Sequence, residues 1–370
     1  MANGFDQAIE ARFSGESPVP GSAAEKGKVI AKDDEELMHF LQESMPKIFV
    51  VGTGGSGCNT VNRMAEVGIY GAKLYAMNTD AQHLLKTQAE RKLLLGRKTT
   101  KGLGAGSNPS VGEQAAEESS GEIKEMFQGV DLVFVTCGMG GGTGTGSAHV
   151  IAKAAKEAGA LVVGVCTTPF TSEGKRRKEN ASIGLEKMRR IADTTISIPN
   201  DKLLYYVPDL PLNAAFKAAD LVLTNAVKGI TELVTKPGLV NLDFADLRTV
   251  LEKSGTAMIG LGEIQGQDQK DRVLQAAEKA LNSPLLDLDV READRALVNI
   301  IGGDDMTLGE AESAVNAISS RIAPNSHVIW GATIDEALEN KSIRVLAVLA
   351  GVKQIDTEHA QEDIGLEFVE

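Results

Sequence analysis

The residues best suited to chemistry lie in GMGGGTGTGS (138–147), where Gly138, Gly140, Gly141, Gly142, Gly144 and Gly146 alternate with Thr143 and Thr145. So few side chains let backbone N–H groups turn inward around one small anion. The stretch sits between an apolar run, DLVFVTC (131–137), and an alanine-rich one, AHVIAKAAKEAG (148–159), read as a strand and a helix. The amino terminus of that helix adds partial positive charge, and both threonine hydroxyls can donate to phosphate oxygens. The chemistry indicated is phosphate binding. A loop needed only for flexibility has no reason to lie between a buried strand and a helix. The Walker pattern G-x-x-x-x-G-K-[ST] does not fit, because no lysine follows.

Two further glycine stretches stand upstream. KIFVVGTGGSGCN (47–59) reads as a strand, a glycine turn and a helix, and GLGAGSNP (102–109) as a glycine-rich connection. Taken alone, the first is a dinucleotide fingerprint, with Asp80 about 20 residues on as the ribose acid. An NAD(P)-binding oxidoreductase is therefore the rival reading. A dinucleotide fold needs one such loop, whereas three suit a ring of loops around a triphosphate.

Three pairs of side chains could complete such a site. Phe216 and Asp220 are four apart on a long helical pattern, so they share a face. A ring that stacks on a base and a carboxylate that accepts from N1–H and N2–H2 would select guanine. On spacing alone, a core phenylalanine beside a surface aspartate is the better account of the pair. Glu173 and Arg177 are also four apart, in a basic run that a solvated helix face would explain. In GLVNLDFADLRTVLEKSG (238–255), Asp243 and Asp246 open a helical pattern. They are either a helix cap with a first-turn acid or a pair that orients water for attack on a γ-phosphate. Two carboxylates held permanently beside a triphosphate would repel it, so arrival from another subunit avoids the conflict.

The positioning elements are those of an α/β protein. Strand and helix alternate over 47–200, as in a parallel sheet covered on both faces, whose ligands bind at the carboxyl ends of the strands. The segment 210–238 is a long helix with few charges, to be buried between layers or domains. Beyond 257 the order is no longer strictly alternating, which indicates a smaller mixed α/β domain. The expected divisions are a disordered tail (1–32), a short helix (33–46), a nucleotide-binding domain (47–235) including a central helix (212–235), a loop with the C-terminal domain (236–352), and a flexible tail (353–370). A chain of 370 residues is comfortable as two domains. A net charge of −13 excludes general nucleic-acid affinity. Cys58, Cys137 and Cys166 lack metal-ligand spacing and read as reduced core thiols of a cytoplasmic protein. No apolar run is long enough to span a bilayer.

These motifs together resemble the tubulin/FtsZ family, and within it the FtsZ cell-division GTPases of archaeal type, over about 47–352. The matching stretches are GTGGSGCN (52–59), NTDAQ (78–82), GLGAGSNP, GMGGGTGTGS, TPF with EGKRR (168–177), IPND (198–201), the helix with Phe216 and Asp220, and NLDFAD (241–246). The resemblance implies a parallel-sheet GTP-binding domain, a long central helix and a smaller C-terminal domain. It implies GTP or GDP with Mg²⁺ on the phosphates and no metal site of the protein's own. Gly55, Ser56 and the cradle from Gly138 to Gly146 would hold phosphates, with Ala105 and Gly106 near the γ-phosphate. Asn59, Phe216 and Asp220 would contact guanine and Arg63 would lie near it, with Glu173, Arg177 and Asn200 near the sugar and α-phosphate. Asn241, Asp243 and Asp246 match the loop that completes the next subunit's site in a head-to-tail protofilament. The terminal GLEFVE (365–370) is similar to motifs that dock a membrane tether of SepF or FtsA type. The place implied is the mid-cell division ring, without direct membrane insertion. His149 stands where the family commonly has proline and is expected to be exposed.

Overall fold

The computed structural model describes residues 45–203, 212–236, 238–265, 271–286, 289–303, 305–335 and 342–352. The expected tails, 1–32 and 353–370 with the docking motif, lie outside the described residues, as does the expected helix up to residue 44.

One ten-stranded sheet runs through the described chain. Its strands are β1 (Ile48–Thr53), β2 (Ala72–Asn78), β3 (Arg91–Leu94), β4 (Leu132–Gly138), β5 (Leu161–Thr168), β6 (Thr194–Pro199), β7 (Gly255–Ile264), β8 (Arg295–Gly302), β9 (His327–Ile334) and β10 (Ile343–Ala350). In space the order is β3-β2-β1-β4-β5-β6-β7-β10-β8-β9. All pairs from β3 to β6 are parallel. In the second half β10 is antiparallel to both β7 and β8, so this part is mixed. The halves join through a short parallel ladder in which Thr194, Thr195 and Ile196 of β6 face Gly255, Thr256 and Ala257 of β7.

Helices follow the parallel strands: α1 (Gly54–Val67), α2 (Ala81–Lys86), α3 (Pro109–Glu118), α4 (Ser120–Met126), α5 (Thr143–Glu157) and α6 (Lys175–Ile191). Then come α7 (Leu212–Thr235), α8 (Phe244–Leu251), α9 (Arg272–Leu281) and α10 (Leu308–Ser319). Alternation along β1 sends Ile48 and Val50 into the core under α1 and α7, and Phe49 and Val51 into the core under α3 to α6. A separate apolar core lies among α9, α10 and the second half of the sheet.

The long helix α7 positions the rest. Leu223, Ala226, Val227, Ile230 and Leu233 are buried in a cluster that includes Ile196 of β6 and Leu346 of β10, so one helix packs against both halves of the sheet. Each large aliphatic side chain there contributes about 1.5–3 kcal/mol relative to exposure. Asn299 of β8 donates to the Gly229 carbonyl at 2.8 Å. A Cβ on Gly229 would lie 2.4 Å from the Leu346 side chain, which would have to shift to admit it.

Candidate nucleotide-binding site

A cleft of about 490 Å³ opens at the carboxyl ends of the parallel strands. Gly55 and Ser56 reach it after β1, Gly138 at the end of β4 with Gly141 to Gly144 after it, Thr167 near the end of β5 with Pro169 after it, and Asn200 after β6. Both glycine-rich turns become helix sooner than their composition suggests. α1 begins at Gly54, and α5 begins at Thr143, inside the glycine stretch rather than at Ala148. The unpaired first-turn N–H groups of two helices therefore border one cleft, an arrangement that favours an anion.

Close approach explains the glycines. A Cβ on Gly54, whose φ is +72°, would lie 2.6 Å from the Gly144 nitrogen. One on Gly138 would lie 2.7 Å from Ser56 Cβ, so the Ser56 side chain of the first turn packs directly on the backbone of the second. Gly140, at φ +102°, lies against the Arg177 backbone.

At the other end of the cleft, Phe216 stands 40% exposed, and its ring meets Phe170 edge-on at 5.3 Å between centroids. Phe170 is 3% exposed and fixes the ring above it. Asp220 accepts from the Thr60 hydroxyl at 2.9 Å. Burial pushes its carboxyl up to about 6, although the Thr60 hydrogen bond and the Arg63 charge act in the other direction. Asn200 lines the same space, is 6% exposed, and its Oδ1 has no hydrogen-bond partner among the described residues. A buried acceptor of this kind costs free energy until a ligand donor meets it. Glu173 accepts from the Phe170 N–H at 2.8 Å and pairs with Arg177, and both line the cleft. The cleft thus offers N–H donors at one end and a ring, a carboxylate and an orphan acceptor at the other.

Of the expected ligand residues, Gly55, Ser56, Asn59, Gly138, Gly141, Gly142, Thr143, Gly144, Glu173, Arg177, Asn200, Phe216 and Asp220 meet in this cleft. Others stand elsewhere. Arg63 pairs with Glu66 at 2.9 Å on the face of α1. Ala105 is buried behind the cradle, where a Cβ on Gly142 would touch it at 2.9 Å, and Gly106 is exposed outside the lining. Ser107 is the residue of that loop that reaches the cleft. Thr145 does not face a ligand: it is buried, and its hydroxyl accepts from the Gly140 N–H at 2.8 Å. The Thr143 hydroxyl shares a hydrogen with Thr79 at 2.6 Å. Gly146 packs against α3, where a Cβ would lie 2.1 Å from the Pro109 carbonyl. The threonines therefore brace the cradle, and its donors are backbone.

His149 is a correction to the expected exposure. It is 7% exposed, with Nε2 2.8 Å from Glu113 of α3. Lys187 of α6 donates to the same carboxylate at 2.6 Å. Burial alone would raise the Glu113 carboxyl, but the Lys187 and His149 hydrogen bonds hold it below the usual range. One carboxylate so ties three helices behind the cradle. The cysteines are free and buried.

Asn241, Asp243 and Asp246 do not line the cleft. Asp243 caps α8, with Oδ1 accepting from the Asp246 N–H at 2.8 Å, and Asp246 returns toward the Asp243 N–H at 3.4 Å. Asn241 Oδ1 accepts from the Gly238 N–H at 2.6 Å. Asp80, the ribose acid of the rival reading, is committed to capping α2 through the His83 N–H at 3.0 Å.

The architecture and cleft define a tubulin-like nucleotide-binding protein, and comparison with known proteins agrees. Residues 47–208 match the Tubulin/FtsZ family, GTPase domain, and residues 255–353 the FtsZ family, C-terminal domain. Cell division protein FtsZ 1 of Archaeoglobus fulgidus is 56% identical over 328 residues, 89% of this chain and 88% of that one. The FtsZ 1 of Methanocaldococcus jannaschii is 53% identical over 324 residues, covering 88% of each. A solved structure described as an empty FtsZ dimer from M. jannaschii superposes with a TM-score of 0.82 at 54% identity, over 87% of this chain and 92% of that one. A GTPγS-bound protofilament of CetZ2 from Haloferax volcanii, at 22% identity and TM-score 0.73 over 85% of this chain and 98% of that one, shares the fold. The chain belongs to the FtsZ family of cell-division GTPases. The oxidoreductase alternative has no support in these matches.

Proposed function

We propose that the chain assembles head-to-tail through GTP and that hydrolysis is completed between subunits. GTP would lie with its phosphates on the first turns of α1 and α5, and its guanine between Phe216, Asp220 and Asn59. Mg²⁺ would be carried by the phosphate oxygens, which suit a hard cation. The observation that carries this reading is a division of labour. Among the described residues the carboxylates of the cleft are Asp220, held by Thr60 and placed for the base, and Glu173, paired with Arg177, while the acids Asp243 and Asp246 stand outside it beyond the carboxyl end of α7. Entering the cleft of the next subunit, these carboxylates would orient and polarise a water for in-line attack on the γ-phosphate. Asn241 would hold the loop conformation that presents them. A contact of this kind repeats as an open filament.

The exposed side chains suit such a contact. Leu85 and Leu103 are 79% and 85% exposed on the segments after β2 and before α3, and Leu239 is 56% exposed beside Asn241. Burial of such leucines in a subunit interface would contribute more than their exposure to water allows. A division-ring position and a tether of SepF or FtsA type binding 365–370 remain part of the same proposal, carried by the terminal GLEFVE. The test is the GTPase rate per subunit as protein concentration rises with Mg²⁺ present. A rate that climbs from near zero above a threshold, in step with sedimentable polymer, is expected. A constant rate per subunit would place the whole active site in each monomer and overturn the proposal.

A further inference from the structure

We propose that His83 is a positioning residue for base selection: it turns the Asn59 carboxamide so that its amino group faces the cleft. The inference rests on the placement of the base proposed above. It follows from a chain of hydrogen bonds whose polarity is fixed at its far end. The Asp80 N–H, which can only donate, reaches Asn78 Oδ1 at 3.3 Å. The Asn78 amino group must then face the other way, and it lies 3.2 Å from His83 Nδ1 and 3.7 Å from Cys58 Sγ. Asn78 is 2% exposed, so its orientation is held. An amino group donates, which makes His83 Nδ1 the acceptor and leaves the ring proton on Nε2. His83 Nε2 stands 3.0 Å from Asn59 Oδ1 and donates to it. Each link settles the next, so the tautomer and the amide orientation follow from the network.

The imidazole is well anchored. Its backbone N–H caps onto Asp80 at 3.0 Å, and its carbonyl accepts from the Thr87 hydroxyl at 3.0 Å. Asn59 lines the cleft, and with Oδ1 held by His83 it presents only Nδ2–H donors there. Guanine offers acceptors at O6 and N7, whereas adenine replaces O6 with an N6–H2 donor. A fixed donor rejects adenine at that position. Asp220, an acceptor, makes the complementary selection for N1–H and N2–H2. An asparagine free to turn would suit either base, so the selection depends on the orientation that His83 holds.

The test measures displacement of a fluorescent guanosine triphosphate analogue by GTP and by ATP from the full chain, below the concentration at which assembly begins. His83→Gln can accept from Asn78 and donate to Asn59, so the GTP:ATP affinity ratio is expected to stay within about twofold of the native one. His83→Ala frees the amide, and the ratio should fall about tenfold, the worth of one hydrogen bond and its mismatch. His83→Glu offers only acceptors, so Asn59 turns over and points Oδ1 into the cleft, and the ratio should fall about a hundredfold. Both nucleotides carry the same triphosphate, so the added charge cancels from the ratio. If the alanine variant fails to fold, the Gln and Glu pair carries the comparison. With Asn59→Ala also present, the His83 substitutions should leave the ratio unchanged. An equal ratio in all His83 variants, or a fall that persists without Asn59, would overturn the proposal. A native protein that does not prefer GTP to ATP would instead remove the base placement beneath it.

Discussion

Asp220 and Asp243 are separated by the last fifteen residues of one helix, α7, and the residues that follow it. Asp220 lies in α7 facing the cleft, and Asp243 follows the same helix after Thr235, as the cap of α8. The fifteen residues between Asp220 and Thr235 span about 22 Å at helical rise. In the roles proposed above, Asp220 reading the base and Asp243 driving hydrolysis would therefore serve the clefts of different subunits. Helix α7 fixes that separation because its apolar face is buried against both halves of the sheet.

Asp220 gives the site a pH dependence. Its carboxyl is raised to about 6 by burial, and the ionised form is the one able to accept two guanine N–H groups. GTP affinity should be flat above that value and fall about tenfold per pH unit below it. Between about pH 4 and pH 6 the folded, empty protein holds a proton that the unfolded chain has lost. The cost to stability is therefore absent below this window and complete above it. Titration calorimetry on the native protein and on Asp220→Asn checks this. The variant should bind GTP at least about a hundredfold more weakly at pH 7.5 and lose that additional slope.

The capping of α8 by Asp243 and its proposed part in hydrolysis are separable. Asparagine caps a helix about as well as aspartate, so Asp243→Asn should change stability by less than about 0.5 kcal/mol, whereas Asp243→Ala should cost about 1 kcal/mol. Both should bind GTP normally and lower steady-state turnover by about a hundredfold or more. Chemical denaturation together with phosphate release distinguishes the cap from the chemistry.

Phe216 and Phe170 divide stacking from support. Phe216→Ala should weaken GTP about tenfold with little loss of stability, because the ring is 40% exposed. Phe170→Ala should cost about 3 kcal/mol or more in stability, because that ring is 3% exposed. Thermal melts with and without GTP separate these outcomes.

Gly54 tests the cradle. Alanine there meets both a positive φ of +72° and the Gly144 nitrogen at 2.6 Å, so nucleotide binding should be lost. Gly68 also has a positive φ, +77°, but nothing stands within 4 Å of its Cβ. Gly68→Ala should retain GTP binding and lose only about 1–3 kcal/mol of stability.

Much of this was legible in the sequence. Glycines between strand and helix mark close backbone approach, and the alternating stretch 47–200 forms the parallel half of the sheet. The spacing of Phe216 and Asp220 was open between core and site, and the ring and carboxylate both line the cleft. Partners brought from afar were not legible. His149 is buried because Glu113, distant in sequence, accepts from it across two helices, and no local pattern announces such a pairing. Thr145 lies within the cradle but turns back onto Gly140. Thr60, Phe170 and His83 act through Asp220, Phe216 and Asn59, so only the folded chain assigns them.

The most direct test of catalysis between subunits is to mix two variants that are inactive alone. Asp243→Asn keeps an intact cleft, and Asp220→Asn keeps an intact acidic loop. Mixed in equal amounts, they should recover GTP turnover up to about one quarter of the native rate, the share of head-to-tail junctions that unite an intact cleft with an intact loop. A mixture that remains as inactive as its components would contradict completion of the site by the neighbouring subunit.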